Sequence, residues 1–390
     1  MTSKDLDARI ENLPEEKREE FEARIEPFEE ELHEELFDQH TSEIENQITD
    51  DEAELSDFNV VVSGFLERDG TEYTFIRTEP LIHEQDKNFD LLVAAPSKGV
   101  AVLVEIERTL LDRLPGKLSK FEGKMDVVKS NGADFDVNEY FERVLSIKPD
   151  ETDYVLSSQH LGESELRDAA AAEDLNFIAW LLGSHGNTCR IKDFTIKTDR
   201  TAPFDGHADD ELTEYIQTEL AKGVEKQDYV SFTYSSSKYL KLKHMSIALV
   251  NRYQRHSEDG SFDYEDWKRL FEADVDLYNY LEEEKRTLFK RYIKYAKEIG
   301  VVTVEEDNGD RFENKYRVKS RATKDQEKLI DELMEKMAKT RMEEDFEEAL
   351  REKKEQIVTE LEQDHATGGT TLFDFEGIEL EEDDAEADDD

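Results

Sequence analysis

Residues 88–107 read NFDLLVAAPSKGVAVLVEIE. Two uninterrupted apolar runs, 91–95 and 100–104, flank the turn signal Pro96-Ser97-Lys98-Gly99. Runs without polar alternation suit strands covered on both faces, so the fold needs layers on either side of a sheet. Carboxylates are costly in such strands. Yet Asp90 opens the first run, and Glu105 and Glu107 close the second. With Pro96–Gly99 as the turn, Ala95 faces Val100, and stepping outwards sets Asp90 directly opposite Glu105. Opposed Cβ atoms lie about 5 Å apart, where like charges destabilise a sheet. Alternation puts Glu107 on the same face as Glu105. Three carboxylates then converge, and uncompensated repulsion raises at least one pKa. A divalent cation relieves that conflict, and Mg²⁺ is typically held by one or two carboxylates with waters and a phosphate. The alternative is that this end of the hairpin is simply exposed, or that the register slips by one.

The surrounding pattern predicts an α/β (α+β) fold. Residues 1–56 form an acidic helical segment. A domain over 57–203 begins with two β-like runs around Asp69-Gly70, followed by the hairpin above. Helices are expected over GKLSKFEGKMDVVKS and VNEYFERVLSI, then strand TDYVLSS, helix GESELRDAAAAEDL, and strands NFIAWLLG and RIKDFTIKT. This order implies a mixed sheet flanked by helices. Residues 204–230 read as a polar linker. Over 231–321, three helices and a hairpin with Asn308-Gly309 at its tip suggest a winged helix-turn-helix module. A long amphipathic helix spans 322–364, with Met342, Phe346, Leu350, Ile357 and Leu361 on one stripe that packs internally or pairs two copies. An acidic tail fills 365–390.

Charge narrows the chemistry. The formal net charge is −49, from 99 acidic and 50 basic residues. The acid runs through the patterned segments, as in a halophilic protein working in concentrated salt, where screening mutes repulsion. An ordinary acidic protein with acidic ends is the alternative. The single cysteine, Cys189, excludes a disulfide framework and a Cys-rich metal site. No apolar run approaches the roughly 20 residues of a membrane span, and no signal-peptide core opens the chain. The expectation is a cytoplasmic protein with no membrane partner, binding at most a hard, oxygen-loving metal.

Asp90, a hairpin of this length, and Glu105-Ile106-Glu107 resemble the core of the PD-(D/E)xK nuclease superfamily, the restriction endonuclease-like fold. The resemblance covers roughly residues 50–200, and its motif is short. It implies Mg²⁺- or Mn²⁺-dependent hydrolysis of phosphodiesters in DNA. Asp90, Glu105 and the Ile106 carbonyl would ligate the metal, with Glu79 as an additional upstream acid preferred over Glu84. The third motif position, usually Lys, is Glu107, which can serve only as a base or a further ligand. A lysine of the following helix can replace the missing one. Lys117, Lys120 and Lys124 are candidates, and Lys120 is preferred. The substitution also leaves a second reading open, an inactive nuclease-like DNA-binding regulator or scaffold.

Residues 231–324 hold 19 Lys and Arg against 17 Asp and Glu, a local excess of base inside a very acidic chain. Lys285, Arg286, Lys290, Arg291, Lys294 and Lys297 lie on one helix, several at spacings of three or four. Arg311, Lys315, Arg317 and Lys319 lie on the wing, the last three sharing a face. These are the expected phosphate contacts to DNA. A solvated face paired with Glu282–Glu284 is the alternative.

Overall fold

In a computed structural model of the protein, the described residues are 3–66, 70–80, 88–108, 113–129, 142, 149, 151–198, 204, 206–254, 260–273, 275–319 and 326–366. Two helices lead, α1 (Ser3–Glu11) and α2 (Glu15–Phe65). Three antiparallel strands follow, β1 (Thr74–Thr78), β2 (Leu91–Ala95) and β3 (Val100–Ile106). Next come α3 (Leu114–Lys129), β4 (Glu151–Ser158), α4 (Glu163–Glu173), β5 (Phe177–His185) and β6 (Thr188–Ile196). Helix α5 (Asp210–Tyr215) runs on through a π turn, Ile216–Leu220, to the short β7 (Val224–Glu225). Strands β1 to β7 form one mixed sheet in sequence order. The pairs β3–β4 and β4–β5 are parallel, and the rest are antiparallel.

The fully apolar hairpin sits inside this sheet, as its composition demands. Leu92, Ala94, Ala101 and Leu103 pack with Leu118, Phe121 and Met125 of α3 and with Leu166 and Ala170 of α4. Across the sheet lies the end of α2, where Phe65 stacks on Trp180 of β5 at 5.5 Å. A Cβ at Gly64 would stand 3.3 Å from Ile191 of β6 and 3.2 Å from Leu220, so a larger residue there would press on both side chains.

Two expectations are corrected here. Residues 58–65 are not a strand but the last turns of α2. Val60, Val61 and Val62 are all buried, so the run has no polar face to reveal a period. Residues 207–225 are not a linker, because they complete the sheet unit. His207 is fully enclosed between Asp153 of β4, at 2.8 Å from Nδ1, and Asp193 of β6, at 3.1 Å from Nε2. With a carboxylate at each nitrogen the ring is held as imidazolium, so the Trp180 indole N–H 3.2 Å away finds no lone pair on Nε2. Burial lowers the His207 pKa, but the two carboxylates outweigh it and raise it to about 9. The helix expected over 137–147 lies almost wholly outside the described residues, as does the tail beyond residue 366.

The second module comprises α6 (Lys238–Leu249), continued by a π turn to Gln254, then β8 (Ser261–Phe262), α7 (Tyr264–Ala273), α8 (Glu282–Glu298), β9 (Val302–Glu306) and β10 (Lys315–Val318). Its strands are ordered β8–β10–β9. Helix–strand–helix–helix–strand–strand, with the first strand against the last, is a winged-helix arrangement. Tyr264, Trp267, Phe289, Phe312 and Tyr316 interlock as its core, with ring centroids 5.1 Å apart for Tyr264 and Phe289. Helix α8 stops at Gly300, whose φ of +69° suits glycine. Helix α9 (Gln326–Ala366) ends the described chain.

The chain divides into two compact units, Glu43–Met337 and the combination of Met1–Ser42 with Ala338–Asp390. The sheet and the winged helix therefore belong to one unit rather than to separate domains. Arg77 of β1 is completely buried and donates from both terminal nitrogens to Glu284 of α8, at 3.0 and 3.1 Å. In the other unit, the pairs Arg24–Glu360, Glu29–Lys354 and His40–Asp345 run in opposite numerical directions, so α2 and α9 lie antiparallel there. Ile357, Val358 and Leu361 are buried with Phe21 and Ile25. The stripe expected to offer a homodimer face is thus covered within the chain over these residues. No described helix is long and apolar enough to cross a membrane.

Candidate functional site

The hairpin has the expected register, with Ala95 opposite Val100 and Leu91 opposite Val104. A 3₁₀ turn over Pro96–Lys98 closes it, and Gly99 takes a φ of +68°. Asp90 stands at the far end, pinned on three sides. Its N–H donates to the Val104 carbonyl at 2.9 Å, its carbonyl accepts from the Glu79 N–H at 2.7 Å, and its Oδ2 accepts from the Ile106 N–H at 2.6 Å. Glu105 leaves β3 beside it. The Ser157 hydroxyl of β4 donates to the Glu105 carbonyl at 3.2 Å, which fixes the strand under the carboxylate.

Helix α3 supplies the counter-charge. Its buried stripe of Leu114, Leu118, Phe121, Met125 and Val128 sets the helix on the sheet and turns Lys124 towards the strand end. The Lys124 ammonium reaches both Glu105 oxygens, at 2.6 and 2.5 Å. One helix heptad earlier, Lys117 lies 3.3 Å from the buried Glu107. Lys120, the lysine preferred from sequence, is exposed and joins neither acid. The correction follows from where α3 crosses β3, which three evenly attractive lysines do not reveal.

The electrostatics are those of a crowded carboxylate pair. Burial, and then the charge of Glu105, push the Asp90 pKa well above the usual carboxylate range, against the opposing pull of Lys124 and the Ile106 N–H. Burial also raises Glu105, although Lys124 offsets part of that rise. Glu54, on α2, adds to the Asp90 shift. Glu54 keeps contact with solvent, yet burial and then Asp51 and Glu79 raise its own pKa. The sequence reading missed Glu54, one of many acids on a long acidic helix, and no local signal singles it out.

The expected meeting of three acids does not occur. Among the described residues no group of three His, Cys, Asp or Glu side chains is gathered to hold a metal. Glu107 is taken by Lys117. Glu79 turns away, with a φ of +44°, and its carboxylate accepts the Ser235 N–H at 3.0 Å together with the Ser235 hydroxyl. Glu84 lies outside the described residues. What remains is Asp90 and Glu105 with the Ile106 backbone between them. Two carboxylates and a carbonyl fit the donor set of Mg²⁺ or Mn²⁺, which completes its shell with water and phosphate. A cation entering there must share Glu105 with Lys124.

The basic residues of the winged helix are only partly free. On α8, Lys285 is paired with Glu272, Arg286 lies 3.4 Å from Glu282, and Lys294 lies 3.8 Å from Glu298. Arg286 and Lys290 also pack over Phe312, at 4.5 and 5.3 Å from its centroid. Arg291 turns over Tyr234 at 5.2 Å. On the wing, Lys315 lies 3.6 Å from Glu306 and Arg317 2.5 Å from Glu305, while Arg311 is exposed. The solvent side of α8 still carries Arg286, Lys290, Lys294 and Lys297. Exposed pairs of this kind cost little to open.

Comparison with protein-family models, with curated proteins and with solved structures finds no match for this chain.

Proposed function

We propose that the protein is a metal-dependent nuclease that hydrolyses phosphodiester bonds in DNA, with the winged helix gripping the duplex. One observation carries the reading. Asp90 and Glu105 lie close together at the open end of an apolar hairpin, both pKa values are raised, and a lysine from the next helix touches Glu105. The order α2, three antiparallel strands, α3 and a parallel β4 supports the resemblance to the PD-(D/E)xK core.

Asp90, Glu105 and the Ile106 carbonyl would hold Mg²⁺ or Mn²⁺. Such an ion, when bound, stabilises charge on phosphate oxygens and lowers the pKa of a bound water. The protein's own groups do the rest. The Lys124 ammonium is held at the strand end by Glu105 and donates to the attacking water or a phosphate oxygen, the work of the lysine missing at position 107. Lys117 balances the charge of Glu107 and keeps a third carboxylate from repelling the phosphate. Arg286, Lys290 and Lys294 steer the duplex through phosphate contacts that carry no sequence information.

The test is cleavage of plasmid and linear DNA in molar KCl with Mg²⁺ or Mn²⁺, comparing wild type with Glu105→Gln and Lys124→Ala. Cutting by wild type and its loss in Glu105→Gln are the expected results. If neither protein cuts but both retard DNA on a gel, the reading as an inactive nuclease-like DNA-binding regulator replaces this one. The glutamate at position 107, where the superfamily usually has lysine, favours that second reading.

A further inference from the structure

A cavity of about 720 Å³ opens between α6, α8 and the loop that precedes α6. Its charged lining inverts the character of the chain. The formal charge of the whole protein is −49, yet among the described residues the cavity lining presents Lys238, Lys241 and Arg291 against one acid, Glu79. The Glu79 carboxylate also accepts the Ser235 N–H and hydroxyl. Among the described residues none of the three cations forms an ion pair. They lie instead over aromatic rings, Lys238 at 5.4 Å from Tyr295, Lys241 at 6.0 Å and Arg291 at 5.2 Å from Tyr234. Lys241 donates to the Tyr234 carbonyl at 2.5 Å, and burial followed by the neighbouring Arg291 lowers its pKa to about 8, against the pull of Glu79. Clustered cations outnumbering their acids are a standing cost in a folded protein unless an anion completes them.

The α6 helix starts at this cavity, with the Ser237 hydroxyl accepting the Leu240 N–H. The first turn adds partial positive charge, part of which the Asp51 carboxylate already meets by accepting the Ser237 N–H at 2.9 Å. Leu242, Met245 and Leu288 add apolar lining, and Tyr234 and Tyr295 bring aromatic rings beside the cations. The volume falls in the range that encloses a small organic ligand. A phosphate joined to a flat, partly apolar body is the complement of such a lining, since aromatic side chains stack nucleobases with little preference for which base.

We propose that this cavity binds a nucleotide, either free or as the phosphorylated end of a single strand. The site is distinct from the Asp90–Glu105 pair and stands whether or not the chain cuts DNA. Partial enclosure protects its charge contacts from the screening that concentrated salt imposes on exposed ones.

Titration calorimetry on the full chain in molar KCl tests this, with AMP, adenosine and inorganic phosphate as probes, and with single-stranded oligonucleotides carrying or lacking a terminal phosphate. AMP or the phosphorylated strand should bind about tenfold or more tightly than its unphosphorylated counterpart. Arg291→Gln alters an exposed side chain and should fold normally, and Lys241→Met keeps the bulk of the buried stem. Each should weaken phosphate-dependent binding by about tenfold. Glu105→Gln should bind as wild type does, which separates this site from the proposed nuclease centre. If AMP and the phosphorylated strand bind no more tightly than adenosine and the bare strand, or if Arg291→Gln and Lys241→Met leave binding unchanged, the proposal is overturned. Binding of AMP alone assigns the cavity to free nucleotides, and displacement of AMP by the phosphorylated strand assigns it to strand ends.

Discussion

Two pairs of carboxylates stand in the same sheet and have opposite fates. Asp153 and Asp193 enclose His207, and the three groups satisfy one another away from water. Asp90 and Glu105 share the charge of Lys124, which reaches Glu105, while Asp90 accepts the Ile106 N–H. A cation fixed between two acids closes a charge cluster and leaves no coordination to offer. A cation on one side of a crowded pair leaves the cluster short of positive charge, and both acids are held above their ordinary pKa. The first arrangement is a structural latch, and the second is the one proposed to hold a metal ion.

The largest expected effect lies on the latch. His207→Ala leaves two enclosed carboxylates unpaired, which costs about 3–5 kcal/mol. Denaturant unfolding in molar KCl measures it, and a loss of roughly 1 kcal/mol or less would show that water reaches the pair. At the open pair the large effect falls on chemistry instead. Glu105→Gln should lower DNA cleavage by about 10³-fold while its melting temperature stays close to that of wild type. A parallel collapse of stability would mean that Glu105, like Asp153, is structural.

Titration separates the two clusters further. The His207 pKa rises from 6.5 to about 9 on folding. Its contribution is complete below pH 6.5 and disappears as pH climbs to about 9, a total of roughly 3 kcal/mol. Melting curves between these limits should fall for wild type and flatten in His207→Ala. Asp90 is also raised, so its charged form is the unfavourable one in the folded chain. Its relative contribution is present below the ordinary carboxylate pKa and is lost as pH rises through the folded value. Asp90→Asn keeps the acceptor for the Ile106 N–H and should therefore stabilise the protein at neutral pH by roughly 1 kcal/mol. This is the smallest effect, and a destabilisation there would argue that the carboxylate is already compensated.

Much of this architecture was legible in the chain. Pro96–Gly99 between two apolar runs sets the hairpin register, because a slip would carry every side chain to the wrong face. Gly300 marks the end of α8, and Asn308-Gly309 marks the wing tip, since both places need backbone that glycine adopts cheaply. The nearness of Asp90 to Glu105 follows from that register, although the ladder shifts at Asp90, whose N–H meets the Val104 carbonyl instead of Glu105. Local preference does not settle which way an all-apolar segment folds, so residues 58–65 read as strand and are helix. Nor does it settle which of three lysines on α3 meets Glu105, or that the polar stretch around His207 is bound between β4 and β6. Those outcomes rest on contacts between residues far apart in sequence. The crossing of a helix over a strand end, and the burial of one ring between two distant carboxylates, exist only once the layers have packed.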